Sequence, residues 1–129
     1  MKRAIEPLKD AGIKIIWHCD GNIMPILDRL IDVGIDGLQG FQEECGVDFA
    51  KLAQMRSKSG DKLILLGSIS VTITLPFGTV EDVKRDVERC IKIAAPGGGF
   101  VLAPTSTVGP DIPVENIFAM YEYGKKVKV

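Results

Sequence analysis

Four short apolar runs, each followed by a longer segment of helical period, limit what this chain can fold into. The runs are Ile13–Trp17, Gly34–Phe41, Lys62–Ser70 and Gly99–Pro104. Each is nearly continuous in Val, Ile, Leu and Phe, as in a strand buried on both faces of a parallel sheet. Between the runs the period lengthens. In Ile23–Val33 the apolar positions Ile23, Ile26, Leu27, Leu30, Ile31 and Val33 recur at helical spacing, and Gly34 supplies the stop. Asp48 can cap a helix over Phe49–Ser59. Thr79, with Glu81 and Asp82 behind it, opens a helix that puts Val83, Val87, Cys90 and Ile91 on one face, and Pro96-Gly97-Gly98-Gly99 breaks it. Pro113 and Glu115 open a last helix, Val114–Tyr123, and Met1–Asp10 reads as the tail of an earlier one.

Strand and helix alternating four times imply right-handed crossovers and a parallel α/β sheet. An open four-stranded sheet would leave two apolar edges. The sequence therefore favours a parallel (β/α)4 unit, half of a TIM-type (β/α)8 barrel, over a small doubly wound sheet. At 129 residues the chain reads as one domain, well short of the ~250 residues of a whole barrel. A second copy of the chain, as a homodimer, or a missing N-terminal half would complete it.

Lys and Arg number 16 against 17 Asp and Glu, and the one basic cluster is the short Lys125-Lys126-Val127-Lys128 tail. That balance argues against nucleic acid and anionic membranes, and for small-molecule or protein partners. No run approaches the ~20 apolar residues of a membrane span, and the start lacks the apolar centre of a signal peptide, so a cytoplasmic protein is expected. Cys19, Cys45 and Cys90 show no paired spacing, and reduced thiols are expected.

The candidate chemistry gathers where the strands end, as active sites of α/β folds do. His18, the only histidine, stands beside Cys19 and Asp20 at the end of the first run. Two residues apart on an extended chain, His18 and Asp20 leave the same face and Cys19 the other. An imidazole with a carboxylate or thiolate is a partial zinc set, although catalytic zinc takes three protein ligands. The plainer alternative makes His18 a hydrogen-bonded strand-end histidine and Asp20 a helix cap. The second run leads into Gln42-Glu43-Glu44, where Glu43 is either a ligand or general acid, or a solvated loop charge. Ser68 and Ser70 after the third run, Thr105 and Ser106 after the fourth, and Asn22 and Gln42 are candidate substrate-binding groups. Gly97-Gly98-Gly99 precedes its strand and is a turn, not a phosphate cradle. Ser68, Ser70 and Ser106 have no nucleophile-elbow sequence around them.

Four motifs, in order, carry a family resemblance. They are His18-Cys19-Asp20-Gly21-Asn22; Gly34-Ile35-Asp36-Gly37-Leu38; Gly67-Ser68-Ile69 with Leu75 and Gly78-Thr79-Val80-Glu81-Asp82-Val83; and Gly98-Gly99-Phe100-Val101-Leu102-Ala103-Pro104 with Pro110-Asp111-Ile112-Pro113-Val114-Glu115-Asn116. Together they resemble the C-terminal half of the uroporphyrinogen decarboxylase superfamily, which also contains the cobalamin-dependent methyltransferases. The resemblance implies the last four strand–helix units of a (β/α) barrel. In the methyltransferase branch a His-x-Cys-Gly strand end and a later cysteine hold a zinc that activates a thiol such as coenzyme M. His18 matches that histidine, Asp20 stands in the place of the first cysteine, Cys19 is one residue early, and Thr105-Ser106 occupies the place of the second. The implied metal set is thus His18 and Asp20, with Cys19 or a glutamate. The implied activity is metal-assisted methyl transfer, with a corrinoid as substrate or carried by a partner corrinoid protein. The decarboxylase branch uses no metal and binds an acidic tetrapyrrole with arginines and an aspartate; its late histidine would fall near Ser106 and its aspartate at Ser70. Arg29, Arg56, Arg85 and Arg89 fall in predicted helices, on the outer ring. A tetrapyrrole decarboxylase, or a non-catalytic half barrel that self-associates or pairs with an N-terminal half, are the alternatives.

Overall fold

The computed structural model describes residues 1–129. In chain order it contains α1 (Lys2–Asp10), β1 (Ile16–Gly21), α2 (Leu27–Val33), β2 (Gly37–Phe41), α3 (Phe49–Gln54), β3 (Ile64–Ile69), α4 (Thr74–Phe77), α5 (Val80–Ala94), β4 (Phe100–Pro104) and α6 (Val114–Gly124). All neighbouring strands are parallel, and the sheet order is β1-β2-β3-β4. Each crossover therefore returns to the adjacent position without the reversal of a doubly wound sheet. This is the expected half of a TIM-type barrel.

One sheet face is buried under the helices. Leu38, Phe41, Leu65 and Ile69 of the strands meet Phe49, Leu52, Val83, Val87 and Cys90 of the helices in one apolar cluster. Phe41 stacks on Phe49 with ring centroids 5.7 Å apart. The other face is open. Along β1, Ile16, His18 and Asp20 are exposed and alternate with the more covered Trp17, Cys19 and Gly21; at the far edge Val101 is 50% exposed.

The sheet curls at its C-terminal end. In a flat sheet three strand spacings would separate β1 from β4 by about 14 Å. Yet Ser106, just beyond β4, donates to Asp20 Oδ2 of β1 at 3.3 Å. Gln39 of β2 likewise reaches across β3 to the Thr105 carbonyl at 3.1 Å.

Local chemistry sets the element ends. Gly34 stops α2 at φ +102°, a backbone shape that side-chain-bearing residues rarely adopt. Asp48 caps α3 by accepting from the Lys51 amide at 2.9 Å. Thr79 and Asp82 form a reciprocal capping box at the start of α5.

The expected helix over Ile23–Val33 divides into a 3₁₀ turn, Met24–Ile26, and α2, with Pro25 in the opening turn, where its missing N–H costs no ladder bond. The helix expected over Phe49–Ser59 ends at Gln54: Met55 is extended, and a tight turn bonds the Ser57 amide to the Asp61 carbonyl at 2.8 Å. Arg56 thus lies outside any helix. The first strand, expected over Ile13–Trp17, begins at Ile16 and runs on through His18 and Asp20, since pairing with β2 continues to Gly21.

At the N-terminal end of the sheet, the buried Asp36 carboxylate accepts from Lys9 Nζ at 2.6 Å and from the Ile15 amide at 2.7 Å. Burial alone would raise this carboxyl; those hydrogen bonds and the charges of Lys9 and Lys14 outweigh it and hold the group below the usual carboxylate range. No helix is long and apolar enough to cross a membrane.

Candidate functional site

At the C-terminal ends of the strands the candidate side chains fall into two groups. The first lies on the open face. His18 and Asp20 leave β1 on the same side, with Nε2 3.8 Å from Asp20 Oδ1. Ser106 bonds the other carboxylate oxygen of Asp20. The imidazole Nδ1 is hydrogen-bonded to Gln39 Oε1, and the Gln39 amide nitrogen donates to the Thr105 carbonyl. Both side chains of the pair remain about half exposed, at 54% for His18 and 52% for Asp20. Water and small solutes can reach them.

The second group lies around a cavity of about 240 Å³ between the strand ends and α5. Glu43, in the 3₁₀ turn Glu43–Cys45 after β2, receives a two-pronged bond from Arg89 at 2.9 and 2.7 Å and a third from the Ser68 hydroxyl at 2.9 Å. Asp86 accepts from Arg89 Nε at 2.9 Å and from Thr74 at 3.0 Å. The hydrogen bond to Glu43 holds the Arg89 guanidinium more firmly protonated than usual, against the pull of burial. Glu44 accepts from Ser70 at 2.8 Å and also from Thr72. Burial would raise the Glu44 carboxyl, but the bonds from Thr72, its own amide, Ser70 and Gln42 bring it below its ordinary value.

The expected site residues are therefore divided. His18, Asp20 and Ser106 come together on the open face, with the Thr105 backbone behind them; the Thr105 hydroxyl instead accepts from the Val71 amide at 3.3 Å. Glu43 and Ser68 meet each other and Arg89, and Ser70 meets Glu44. Gln42 stands between the groups, accepting from the Gly21 amide at 2.7 Å and approaching Glu44 at 3.5 Å. Asn22 Oδ1 accepts from the Met24 amide at 3.0 Å, so it caps the turn at the place where Asp20 was a candidate cap. Cys19 alternates to the face opposite His18, its thiol 3.3 Å from the Asp20 carbonyl.

Gln39 and Arg89 are among the residues that escaped sequence reasoning. Gln39 lay inside an apolar run, and only the register that pairs it with His18 gives it a role. Arg89 was expected on the outer ring, yet its guanidinium points in to Glu43.

The donor set for a zinc ion is incomplete within these residues. His18 Nε2 and Asp20 Oδ1 are two donors, Cys19 faces away, and no three His, Cys, Asp or Glu side chains are grouped to hold a metal ion. A catalytic zinc takes three, and the open face offers two. The open-face pair can instead accept a proton, at Nε2, and stabilise the resulting positive charge with the adjacent carboxylate.

Comparison with known proteins agrees with the fold. Residues 1–127 match the family described as Uroporphyrinogen decarboxylase (URO-D). Two proteins named Methylcobamide:CoM methyltransferase MtaA, from Methanosarcina barkeri and its strain Fusaro / DSM 804, are 33% and 32% identical over 105 residues, which is 81% of this chain. The aligned segment spans 28% of each of those proteins. A solved methyltransferase from Methanosarcina mazei superposes with a TM-score of 0.70 at 26% identity, covering 98% of this chain and 35% of its own.

Proposed function

The chain belongs to the uroporphyrinogen decarboxylase family, and on that footing we propose that it serves methyl transfer from a corrinoid to a small-molecule nucleophile, with His18 and Asp20 as the working pair. The observation that carries this reading is the approach of His18 Nε2 to Asp20 Oδ1 on the open face, at 3.8 Å, with the Ser106 hydroxyl beside it. The methyltransferase names of the relatives support it.

In this reading the nucleophile lies against His18 and Ser106. A methylated corrinoid, when bound there, would supply the methyl group and keep the electron pair of the bond it gives up, as the lone pair of the heteroatom forms the new bond to carbon. The proton displaced from the nucleophile goes to Nε2, and Asp20 stabilises the imidazolium that forms. A positioned base of this kind contributes about 10²–10⁴-fold.

Decarboxylation of a carboxylate-rich tetrapyrrole fits the side chains less well, since it calls for cations at the mouth. Arg89 is engaged by Glu43 and Asp86, Arg85 by Asp82, and Arg56 by the Gly60 carbonyl.

The remaining wall of the pocket is proposed to come from a partner, either an N-terminal half or a second copy of this chain. Several features support this. β1 and β4 have free edges, Val101 and Ile16 are exposed on the open face, and Val114, Phe118 and Tyr121 form an exposed stripe at helical spacing on α6.

The test follows loss of methylcobalamin with a thiol acceptor, for the chain alone and with the N-terminal half of a relative added. Transfer above the uncatalysed rate, falling by about 10²-fold or more in His18→Ala, is expected. Equal rates for wild type and variant in both settings would remove the reading.

A further inference from the structure

We propose that Gln39 is a positioning residue that holds His18 in its Nδ1–H tautomer, leaving Nε2 as the lone-pair nitrogen that faces Asp20. The tautomer follows from the structure's own donors and acceptors; its chemical use rests on the methyl-transfer reading above.

A backbone carbonyl can only accept. Gln39 Nε2 lies 3.1 Å from the Thr105 carbonyl oxygen, so the NH₂ end of the carboxamide faces Thr105 and Oε1 faces His18. Turned the other way, the carboxamide would set its oxygen against that carbonyl oxygen, two acceptors with no hydrogen between them. Oε1 also only accepts, so the imidazole nitrogen bonded to it, Nδ1, carries the hydrogen. In the neutral ring Nε2 is then unprotonated. It is the nitrogen that stands 3.8 Å from Asp20 Oδ1.

The arrangement is built into the strands. His18 and Gln39 are register partners in the β1–β2 ladder, and Gln39 is paired on its other side with Leu66 of β3. Thr105, which receives the far end of the carboxamide, is fixed by its own amide donating to the Ile69 carbonyl at 2.9 Å. The orienting group is therefore held by inner strand β2 and by the end of β4, while the histidine it orients sits on edge strand β1. Second-layer hydrogen bonds of this kind choose which imidazole nitrogen is available to a ligand or a proton.

The chain has a single histidine, so two-bond ¹H–¹⁵N correlation spectra of the ¹⁵N-labelled protein in alkaline buffer contain one imidazole pattern. In the wild type, Nε2 is expected to give the unprotonated signal. Gln39→Leu, which removes the acceptor, is expected to return the ring to the Nε2–H form that an unconstrained side chain favours, changing the tautomer ratio at least fivefold. Gln39→Glu keeps an acceptor toward Nδ1 while giving up the donor to the Thr105 carbonyl, and should keep the wild-type tautomer even where it lowers stability. Methyl transfer should fall in Gln39→Leu and recover in Gln39→Glu. An unprotonated Nδ1 in the wild type, or an unchanged ratio in folded Gln39→Leu, overturns the assignment. Should Gln39→Leu fail to fold by far-UV circular dichroism, the wild type and Gln39→Glu decide the matter alone. A wild type with the Nδ1–H ring and no methyl transfer keeps the role of Gln39 and removes the enzymatic reading.

Discussion

Gly40 leaves the space that the ring of His18 fills: a Cβ built on Gly40 would stand 2.7 Å from both Cε1 and Nδ1 of His18. The backbone there has φ +88°, which costs a side-chain-bearing residue about 1–2 kcal/mol. Gly40→Ala is therefore expected to lower stability by at least that amount in urea melts and to push the imidazole off Gln39. The histidine spectrum described above reports the displacement, and an unchanged spectrum with unchanged stability would contradict the packing.

Asp36 makes stability depend on pH in the acid range. Its carboxyl lies below the usual range in the folded chain, so its contribution is complete above the unfolded value, near 4, and is lost as pH falls through the folded one. Urea midpoints are expected to hold level from neutral pH to about 5 and to decline below about 4. Asp36→Asn should cost about 1–3 kcal/mol at neutral pH and flatten the acid decline.

The fork between Arg89 and Glu43 joins the turn after β2 to α5. Their side chains are 40% and 30% exposed, so solvent screening reduces what the two bonds contribute. A double-mutant cycle with Glu43→Gln and Arg89→Met is expected to give a coupling of about 1–2 kcal/mol. A coupling indistinguishable from zero would mean that the fork does not tie the turn down.

The three thiols should react in a fixed order. Burial, with the charge of Asp86 adding to it, pushes the Cys90 thiol up to about 12, whereas Cys45 is exposed and Cys19 partly covered. Ellman's reagent on the native protein is expected to modify Cys45 first and to reach Cys90 only on unfolding. Early loss of the Cys90 thiol would show that the layer between β3 and α5 opens.

Much of the architecture was legible because continuous apolar runs and helical periods are local properties. Gly34, Asp48 and Thr79 announce element ends by chemistry that needs no partner far along the chain, and the structure uses all three. The early end of α3 was hidden because Ser57 and Asp61 compete for the backbone only once the chain turns back. The site was legible in part. The shared face of His18 and Asp20 follows from the two-residue period of a strand, but Gln39 depends on register and Arg89 on the direction in which α5 packs. Both are settled by pairing and packing across the sheet, which no local pattern of residues displays.

β1 carries His18 and Asp20 and is also an outermost strand of the sheet. Any polypeptide that zips onto its unmatched amides and carbonyls brings its own side chains within a strand's width of the imidazole. Choice of substrate would then be divided across a seam. Exchange of the zipped-on polypeptide could retune what is accepted with no change in these 129 residues.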